Sequence, residues 1–365
     1  MMLSRAIRKI GEGKRLSPED ALLLFKSDDI FMLGRLAAKA AEKKNGDRVY
    51  YVRNIHVNPT NICVNRCRFC AFSRSKGEPG AYELTIHEIL EKLREKAPYF
   101  DEIHIVGGLH PDWPFEHYTK MLKAIKKEFP YAFIKAFTAA EIDYMQKISG
   151  LSMKEVLIKL RAAGLDLMPG GGAEIFDPAV RGRLCPEKLS GRRWLEVIRE
   201  VHRAGIKTNA TMLYGHIEEY RHRVDHLAKI RALQDESLQG KKGGFQAFIP
   251  LPYQPKTEIG GSAPSGLEDL KCIALSRLFL DNIPHIKAYW VMLGEKLSQA
   301  ALLFGADDLE GTVMEEKIAH MAGAGTKEAM TEEELKHLIR KAGKTPVRRD
   351  SFYRKIDEAA QKRSA

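Results

Sequence analysis

The stretch Cys63-Val64-Asn65-Arg66-Cys67-Arg68-Phe69-Cys70 holds three cysteines at the spacing C-x3-C-x2-C. It follows an apolar run at 51–57 that is typical of a β-strand. A short loop of this kind can turn three thiolates toward one point. A closed structural zinc site generally has four ligands, and the chain contains no second C-x2-C. The spacing therefore favours an iron–sulfur cluster with one open iron, held by Cys63, Cys67 and Cys70, over structural zinc or a metal-free loop.

The 365-residue chain has an ordinary globular composition, with 44% hydrophobic and 29% charged residues. Five cysteines, three of them clustered, do not suggest a disulfide framework, and we expect Cys185 and Cys272 to be ordinary thiols. The N-terminus lacks the apolar core of a signal peptide. No stretch approaches the roughly 18 apolar residues of a membrane span, so we expect a cytoplasmic protein.

The chain is also basic, with 59 Lys and Arg against 48 Asp and Glu and a net charge of +11. The basic residues are spread along the chain, often beside acidic ones, which favours a solvated surface over a nucleic-acid-binding stripe. Nucleic acid is therefore an unexpected partner. An RNA-modifying or RNA-binding iron–sulfur protein nevertheless stays open as a second class of function because of the charge.

Strand-like apolar runs alternate with helical patterns from residue 50 onward. Such alternation predicts an α/β fold with a parallel sheet, and eight strands over about 255 residues predict a (β/α)8 TIM-type barrel. We expect a helical lead-in at 1–49, the barrel at 50–313 and a helical extension at 314–365. The predicted strands lie at 51–57, 102–107, 132–137, 165–168, 206–213, 244–250, 286–292 and 301–305.

The cysteine motif, with Phe69 in the aromatic position of C-x3-C-x-aromatic-C, resembles the signature of the radical S-adenosylmethionine (SAM) superfamily. The resemblance implies a radical SAM barrel, for which a partial six-strand form is also common. It implies a 4Fe–4S cluster whose open iron binds the methionine amino and carboxylate groups of SAM. One electron, from a flavodoxin or ferredoxin, then releases a 5'-deoxyadenosyl radical.

Two loops after predicted strands resemble SAM-binding elements of that superfamily. Gly107-Gly108 follows strand two and resembles the Gly-Gly element that receives the methionine amino group, although Gly-Gly alone marks only a turn. Glu174 follows three glycines after strand four. In related barrels an acidic residue here holds SAM, sometimes with a later arginine, for which Arg193 is the candidate. A glutamate favoured by a helix dipole is the alternative for Glu174.

Strand five supplies the remaining candidates. Its alternation puts Asn209 and Thr211 on one face, from which they would reach the ribose of SAM or the substrate. Tyr214, His216 and Glu218 end the strand and begin the following loop, where substrate contact or proton transfer competes with a solvated His–Glu pair. We therefore predict these three as catalytic residues.

The resemblance extends to one branch of the superfamily, the menaquinone and deazaflavin enzymes. It rests on the stretches 58–72, 169–176, 209–218 and 244–250, while 184–189 and 212–215 look most like the aminofutalosine synthases. That resemblance implies a transferase of menaquinone biosynthesis. The adenosyl radical adds to the enol ether of 3-[(1-carboxyvinyl)oxy]benzoate, and rearrangement with decarboxylation gives 6-amino-6-deoxyfutalosine.

Two close relatives in this branch remain alternatives, the cyclic dehypoxanthine futalosine synthase and the deazaflavin FO synthase subunits. The enol-ether substrate carries two carboxylates, so an arginine, a lysine or backbone amides should meet them. Arg74 and His216 are the candidates for that contact, and the sequence does not choose between them.

Overall fold

Parallel strands form a closed barrel in the computed structural model, which describes residues 2–356. Within that range every named pairing between strands is parallel. The strands are β1 (Arg48–Val52), β2 (Asn54–Val57), β3 (Glu102–Ile105), β4 (Phe133–Ala136), β5 (Lys207–Tyr214), β6 (Gly244–Pro252), β7 (His285–Ile286), β8 (Asp308–Gly311) and β9 (Thr345–Arg348).

Helices follow most strands and cover the outside of the barrel. They are α1 (Met2–Gly11), α2 (Pro18–Phe25), α3 (Ile30–Asn45), α4 (Ile86–Lys96), α5 (Phe115–Glu128), α6 (Ala139–Ser149), α7 (Met153–Ala162), α8 (Pro178–Leu184), α9 (Gly191–Arg203), α10 (Tyr220–Gly240), α11 (Gly266–Phe279), α12 (Trp290–Leu293), α13 (Glu295–Ala301), α14 (Ile318–Ala322) and α15 (Glu332–Lys341). Among the helices of residues 2–356, none has both the length and the apolar character that crossing a membrane requires.

Short bridges join three three-stranded sheets, ordered β8-β1-β9, β2-β3-β4 and β5-β6-β7, into one barrel. Residues 167–168 act as the fourth strand of the barrel when the strands are counted from β2, since they bridge to β4 on one side and to β5 on the other. A bridge between Lys287 and Asp308 joins β7 to β8, and one between Ile55 and Met314 joins the first strand to the last. The chain thus forms the predicted (β/α)8 barrel rather than a partial one.

Local signals start the helices where the sequence predicts them. Thr85 and Ser152 are N-caps of α4 and α7, each with the reciprocal glutamate contact of a capping box. Such caps typically contribute about 1 kcal/mol each. The apolar stripe of α4 buries Ile89 and Leu93 completely against the barrel. Capping therefore sets where these helices begin, and their apolar faces set how they pack.

The last two predicted strands are wrong in position. The run 286–292 contains only the end of β7 followed by α12, and 301–305 is the end of α13 and a turn. The actual eighth strand reads Asp308-Leu309-Glu310-Gly311. It escapes a search for apolar runs because its two carboxylates are buried in the barrel, where Lys287 and Arg349 neutralise them.

The predicted helical extension at 314–365 is helical only in part. It contains α14 and α15, but β9 then pairs in parallel with β1. Arg348 and Arg349, at and just after the end of β9, form ion pairs with Asp101 and Asp308. The Ser351 hydroxyl donates to Glu102 over 2.7 Å. Residues 357–365 of this predicted extension lie outside the described part of the chain.

Candidate active site

A cavity of about 320 Å³ opens where the barrel strands end, a size typical of small-molecule sites. Residues of the first six barrel strands, counted from β2, and of the loops after them form most of its wall. Ile249 and Leu251 of β6 make part of an apolar side. Of the residues predicted from sequence, those lining the cavity are Cys63, Cys67, Phe69, Cys70, Gly107, Gly108, Glu174, Asn209 and Thr211.

The cysteine loop follows β2 and is held in place by backbone hydrogen bonds to three other segments. The Cys63 N–H donates to the Arg74 carbonyl over 3.0 Å, and Val64 donates to Leu109 over 3.0 Å. The Arg68 N–H reaches the Leu184 carbonyl at 2.9 Å. All three cysteines are free and partly exposed. The loop is thus preorganised with its thiols at one wall of the cavity.

The donor set fits an iron–sulfur cluster better than a single ion. Four ligands around one zinc ion lie within roughly 4 Å of one another. Among residues 2–356, the sole group of three or more His, Cys, Asp or Glu ligand atoms within 4.8 Å of one another is Glu102, His104 and Glu310. The three cysteine sulfurs do not converge in that way. A cluster that binds each thiolate through a separate iron accommodates wider spacing.

Gly107 and Gly108 lie after β3 and pack directly beneath the cysteine loop. A Cβ on Gly108 would stand 2.2 Å from the Ile62 carbonyl oxygen, and one on Gly107 would stand 3.2 Å from the Thr60 oxygen. At Gly108 a residue with a Cβ does not allow the two backbones to approach so closely. Gly108 is therefore required by the segment that leads into the cysteine loop, Gly107 packs tightly against the same segment, and both glycines line the cavity.

Glu174 forms a buried ion pair with Lys188, whose Nζ lies 2.7 Å from Glu174 Oε1. Burial alone would raise the pKa of Glu174, but the charge and hydrogen bond of Lys188 hold it below its ordinary value. Both side chains line the cavity, and Lys188 lies 5.5 Å from the centre of the Phe69 ring. Sequence reasoning missed Lys188, although it stands in the 184–189 stretch quoted above.

Arg193 does not join Glu174. It lies on α9, where its Nε is 2.7 Å from Asp143 Oδ1 and a terminal nitrogen donates to Gln146 over 2.6 Å. Arg74 uses its guanidinium to bind the carbonyls of Ala71 and Ser73 in its own loop. Neither arginine lines the main cavity.

The three residues predicted as catalytic lie behind the cavity wall rather than on it. The Tyr214 hydroxyl donates to Asp269 Oδ1 over 2.7 Å in the core. His216 Nδ1 lies 2.9 Å from Glu218, and Arg223 binds the same carboxylate over 2.7 Å. Burial raises the pKa of Glu218, but His216 and Arg223 more than offset this and keep it far below its ordinary value.

Strand alternation in β5 is as predicted. Asn209 and Thr211 face the cavity, whereas Ala210 and Met212 are fully buried in the core. The Thr211 hydroxyl donates to the Gly170 carbonyl over 2.9 Å, which ties β5 to the glycine-rich loop.

Several cavity residues were not foreseen from the sequence. Glu141 of α6 is buried and accepts from the Gly107 N–H over 3.1 Å. Burial raises its pKa to about 7, against the opposing hydrogen bonds from Thr138 and Gly107. His56 and His104 stand at paired positions of β2 and β3 and also line the cavity. Polar residues inside otherwise apolar strand runs were the available signal for this pair.

Comparison with known proteins agrees with this geometry. Residues 57–230 match the Radical SAM superfamily, and residues 242–362 match the CofH/MqnC C-terminal region. Among solved structures, methylornithine synthase (PylB) covers 98% of this chain with a TM-score of 0.74 and 18% identity, and the chain covers 99% of PylB. The hydrogenase maturase HydG from Carboxydothermus hydrogenoformans has a TM-score of 0.69, with 96% of this chain and 80% of HydG covered, at 18% identity. At such identity these likenesses concern the fold.

Curated relatives are much more similar in sequence. An aminodeoxyfutalosine synthase of Thermus thermophilus is 46% identical over 95% of this chain and 94% of the relative. Another from Streptomyces coelicolor is 43% identical over 96% and 93%. A 5-amino-6-(D-ribitylamino)uracil–L-tyrosine 4-hydroxyphenyl transferase of Methanopyrus kandleri is 42% identical over 90% of each chain.

Proposed function

The chain belongs to the radical SAM superfamily, and from that membership we propose that it is an aminodeoxyfutalosine synthase. Members of the superfamily use a 4Fe–4S cluster with SAM. The observation that supports the proposal is one continuous cavity, which reaches from the three cysteines to an apolar wall and on to polar side chains of β2 and β3. A radical released at the cysteine end can therefore meet a second organic substrate in the same space.

Cys63, Cys67 and Cys70 would hold the cluster, which supplies the electron that cleaves the sulfonium of SAM. Gly107 and Gly108 present main-chain groups at the adjacent wall. The Glu174–Lys188 pair offers a carboxylate and an ammonium beside them, so polar groups of SAM find both signs of charge. These residues orient SAM and hold its 5'-carbon over the second substrate.

The proposed reaction begins when the C5'–S bond of SAM breaks and methionine leaves. The 5'-carbon adds to the vinyl CH2 of 3-[(1-carboxyvinyl)oxy]benzoate, and the aryl group migrates from oxygen to the neighbouring carbon. Loss of the side-chain carboxylate as CO2 forms the ketone and returns one electron, so the sequence is redox neutral. The apolar wall, with Leu213, Ile249 and Leu251, excludes water from the radical.

A second candidate is the hydroxyphenyl transferase activity, since relatives with that name are 40–42% identical over most of the chain. Its name gives L-tyrosine and 5-amino-6-(D-ribitylamino)uracil as substrates. The synthase is favoured by higher identity over similar coverage, 46% and 43%. A flavodoxin or ferredoxin is the proposed electron donor in either case.

Anaerobic reconstitution with iron and sulfide, followed by SAM and dithionite, tests the proposal. Formation of aminodeoxyfutalosine from the enol-ether benzoate, detected by mass spectrometry, supports it. Coupling of L-tyrosine to the diaminouracil would replace it with the second candidate, and cyclisation of dehypoxanthine futalosine would transfer it to the cyclase.

Two cysteine variants make the assay specific. Cys67→Ala should lose both the brown cluster and turnover. Cys272→Ala, in the fully buried core of α11, should keep both. Full activity in Cys67→Ala would contradict the assigned cluster site.

A further inference from the structure

Two histidines line the cavity on the strands, below the loops that carry the cysteines. His56 of β2 and His104 of β3 are register partners, and their ring centres lie 4.4 Å apart. His56 Nε2 and His104 Nδ1 are both buried, and neither has a hydrogen-bond partner. His56 keeps only 9% of its surface exposed. Leaving two such nitrogens unpaired is costly, so each needs a partner from a bound ligand or an ordered water molecule.

The neighbouring acids do not turn this region into a metal site. Glu102, His104 and Glu310 come close together, but the Lys135 ammonium lies 2.5 Å from Glu102 and 3.6 Å from Glu310. Lys287 also pairs with Glu310. The carboxylates are thus already neutralised by cations from the protein, so a metal ion would have to displace a lysine.

The same pairing removes any net repulsion toward an anionic ligand. Glu316, the other carboxylate at this end of the cavity, lies 3.2 Å from His320 Nδ1. The hydrogen bond that His320 donates to Glu316 raises the pKa of His320 to about 9, so the pair is neutral overall at pH 7. An acidic oxygen placed between the two unpaired histidine nitrogens therefore meets donors without an opposing uncompensated charge.

Burial keeps both rings neutral. It lowers the pKa of His56, and it lowers the pKa of His104 strongly, helped by the neighbouring His56 and Lys135. A neutral imidazole carries one proton and can present it from the nitrogen that faces a ligand. Both residues line the cavity, so each ring can donate its one proton to a ligand bound there.

We propose that His56 and His104 bind the acidic substituent on the aromatic ring of the substrate. This inference rests on the proposed function, for which the substituent is the ring carboxylate of the enol-ether benzoate. Two donors side by side match its two oxygens. With that carboxylate on the strands, the enol ether on the same ring points toward the cysteine loop, where the 5'-carbon of SAM is released. The histidines thereby set which end of the substrate meets the radical.

Comparing the substrate with its ring carboxamide tests the assignment in the reconstituted holoenzyme. The wild type should prefer the acid in kcat/KM by about 10- to 100-fold for each hydrogen bond to the charged group. His56→Leu and His104→Leu should each reduce that preference at least tenfold, mainly by raising KM for the acid. A preference unchanged in both variants would overturn the proposal.

Donor-retaining variants separate binding from folding. His56→Gln places an amide near the position of Nε2, and His104→Asn places one near Nδ1, so both should keep a larger part of the preference than the leucine variants do. His202→Gln is the matched control. It alters a buried histidine that binds Ser237 and Thr208 away from the cavity. It should affect acid and amide equally.

Failure of the proposed function gives a different pattern. If the wild type does not convert the enol ether, the same variants are tested by calorimetric binding of L-tyrosine and L-phenylalanine to the SAM-loaded enzyme. A preference for tyrosine that is lost in the leucine variants keeps the histidines as the acidic-oxygen site of another substrate. Its absence, together with no enol-ether turnover, rejects both proposals.

Discussion

Lys188 donates to Glu174 over 2.7 Å within the cavity wall, and their side chains keep only 15% and 9% of their surface exposed. Each charge is balanced chiefly by the other, because little water reaches them. The pair also joins the loop after the fourth strand to the segment between α8 and α9, next to Cys67. One contact thus serves stability and the shape of the candidate SAM site together.

Lys188→Met should destabilise the protein strongly, since it leaves the Glu174 carboxylate buried without its cation. Removing one member of a buried pair typically costs about 3–5 kcal/mol. Urea unfolding measures this, with Lys229→Met as control. Lys229 pairs with Asp225 in the open, at 42% and 46% exposure, and its loss should cost less than about 1 kcal/mol. The double variant Glu174→Gln/Lys188→Met should recover part of the stability but not SAM binding.

Gly108→Ala should displace the cysteine loop, because the new Cβ would meet the Ile62 carbonyl oxygen at 2.2 Å. We expect weaker cluster retention and a raised KM for SAM, measured by iron content and by SAM cleavage. Gly182→Ala is the control. Gly182 lies in α8 with no atom within 4 Å of its Cβ position, so alanine there should stabilise by up to about 1 kcal/mol. Normal iron content in Gly108→Ala would contradict the packing argument.

Tyr214→Phe should reduce stability without impairing SAM cleavage. The hydroxyl donates to Asp269 in the core and does not reach the cavity. Loss of this donor leaves a buried acid unpaired, at a cost of about 1–3 kcal/mol. Unfolding and SAM-cleavage assays separate the two effects. A large fall in kcat at unchanged stability would instead support the catalytic role predicted for Tyr214 from the sequence.

Asp269 should make stability fall as the pH rises. Burial raises its pKa from 3.8 to about 6, despite the opposing hydrogen bond from Tyr214. An acid whose pKa is raised in the folded state contributes stability that is fully present below pH 3.8 and is lost as the pH rises through about 6. The loss is at most about 3 kcal/mol. Between pH 4 and 8 the free energy of unfolding of wild type should therefore decline relative to Asp269→Asn, whose side-chain oxygen still accepts from Tyr214. If the free energies of unfolding of the two proteins differed by the same amount at every pH, the raised pKa of Asp269 would be contradicted.

Much of the barrel follows from short-range patterns. Apolar runs locate the first six strands, and caps such as Thr85 and Ser152 locate helix starts, since both depend on neighbouring residues. The eighth strand could not be found in this way. Asp308 and Glu310 are tolerated inside the barrel only because Lys287 and Arg349 lie beside them in space. Burial of that kind depends on tertiary pairing, which one sequence does not display.

The residues of the candidate site also differ in whether short-range sequence patterns can predict them. The cysteine loop, Gly107-Gly108 and Glu174 follow consecutive strands, so barrel topology brings them together once the strands are recognised. Arg193 was placed by analogy alone, and the structure turns it toward Asp143 instead. Lys188 and the two histidines were not predicted, because Lys188 pairs with Glu174 and His56 with His104, and these contacts join residues far apart in the sequence.

Strand β9 gives the protein a particular order of assembly. The first strand finds its hydrogen-bond partners in β8 and β9, the last strands of the described chain. Arg349 and Ser351 then bind acids on β8 and β3 inside the barrel. Such sequence-distant pairings are slow to form and leave strand edges exposed until they do. During synthesis β1 must wait for β8 to leave the ribosome before the barrel can close, and β9 adds to the free edge of β1 after that.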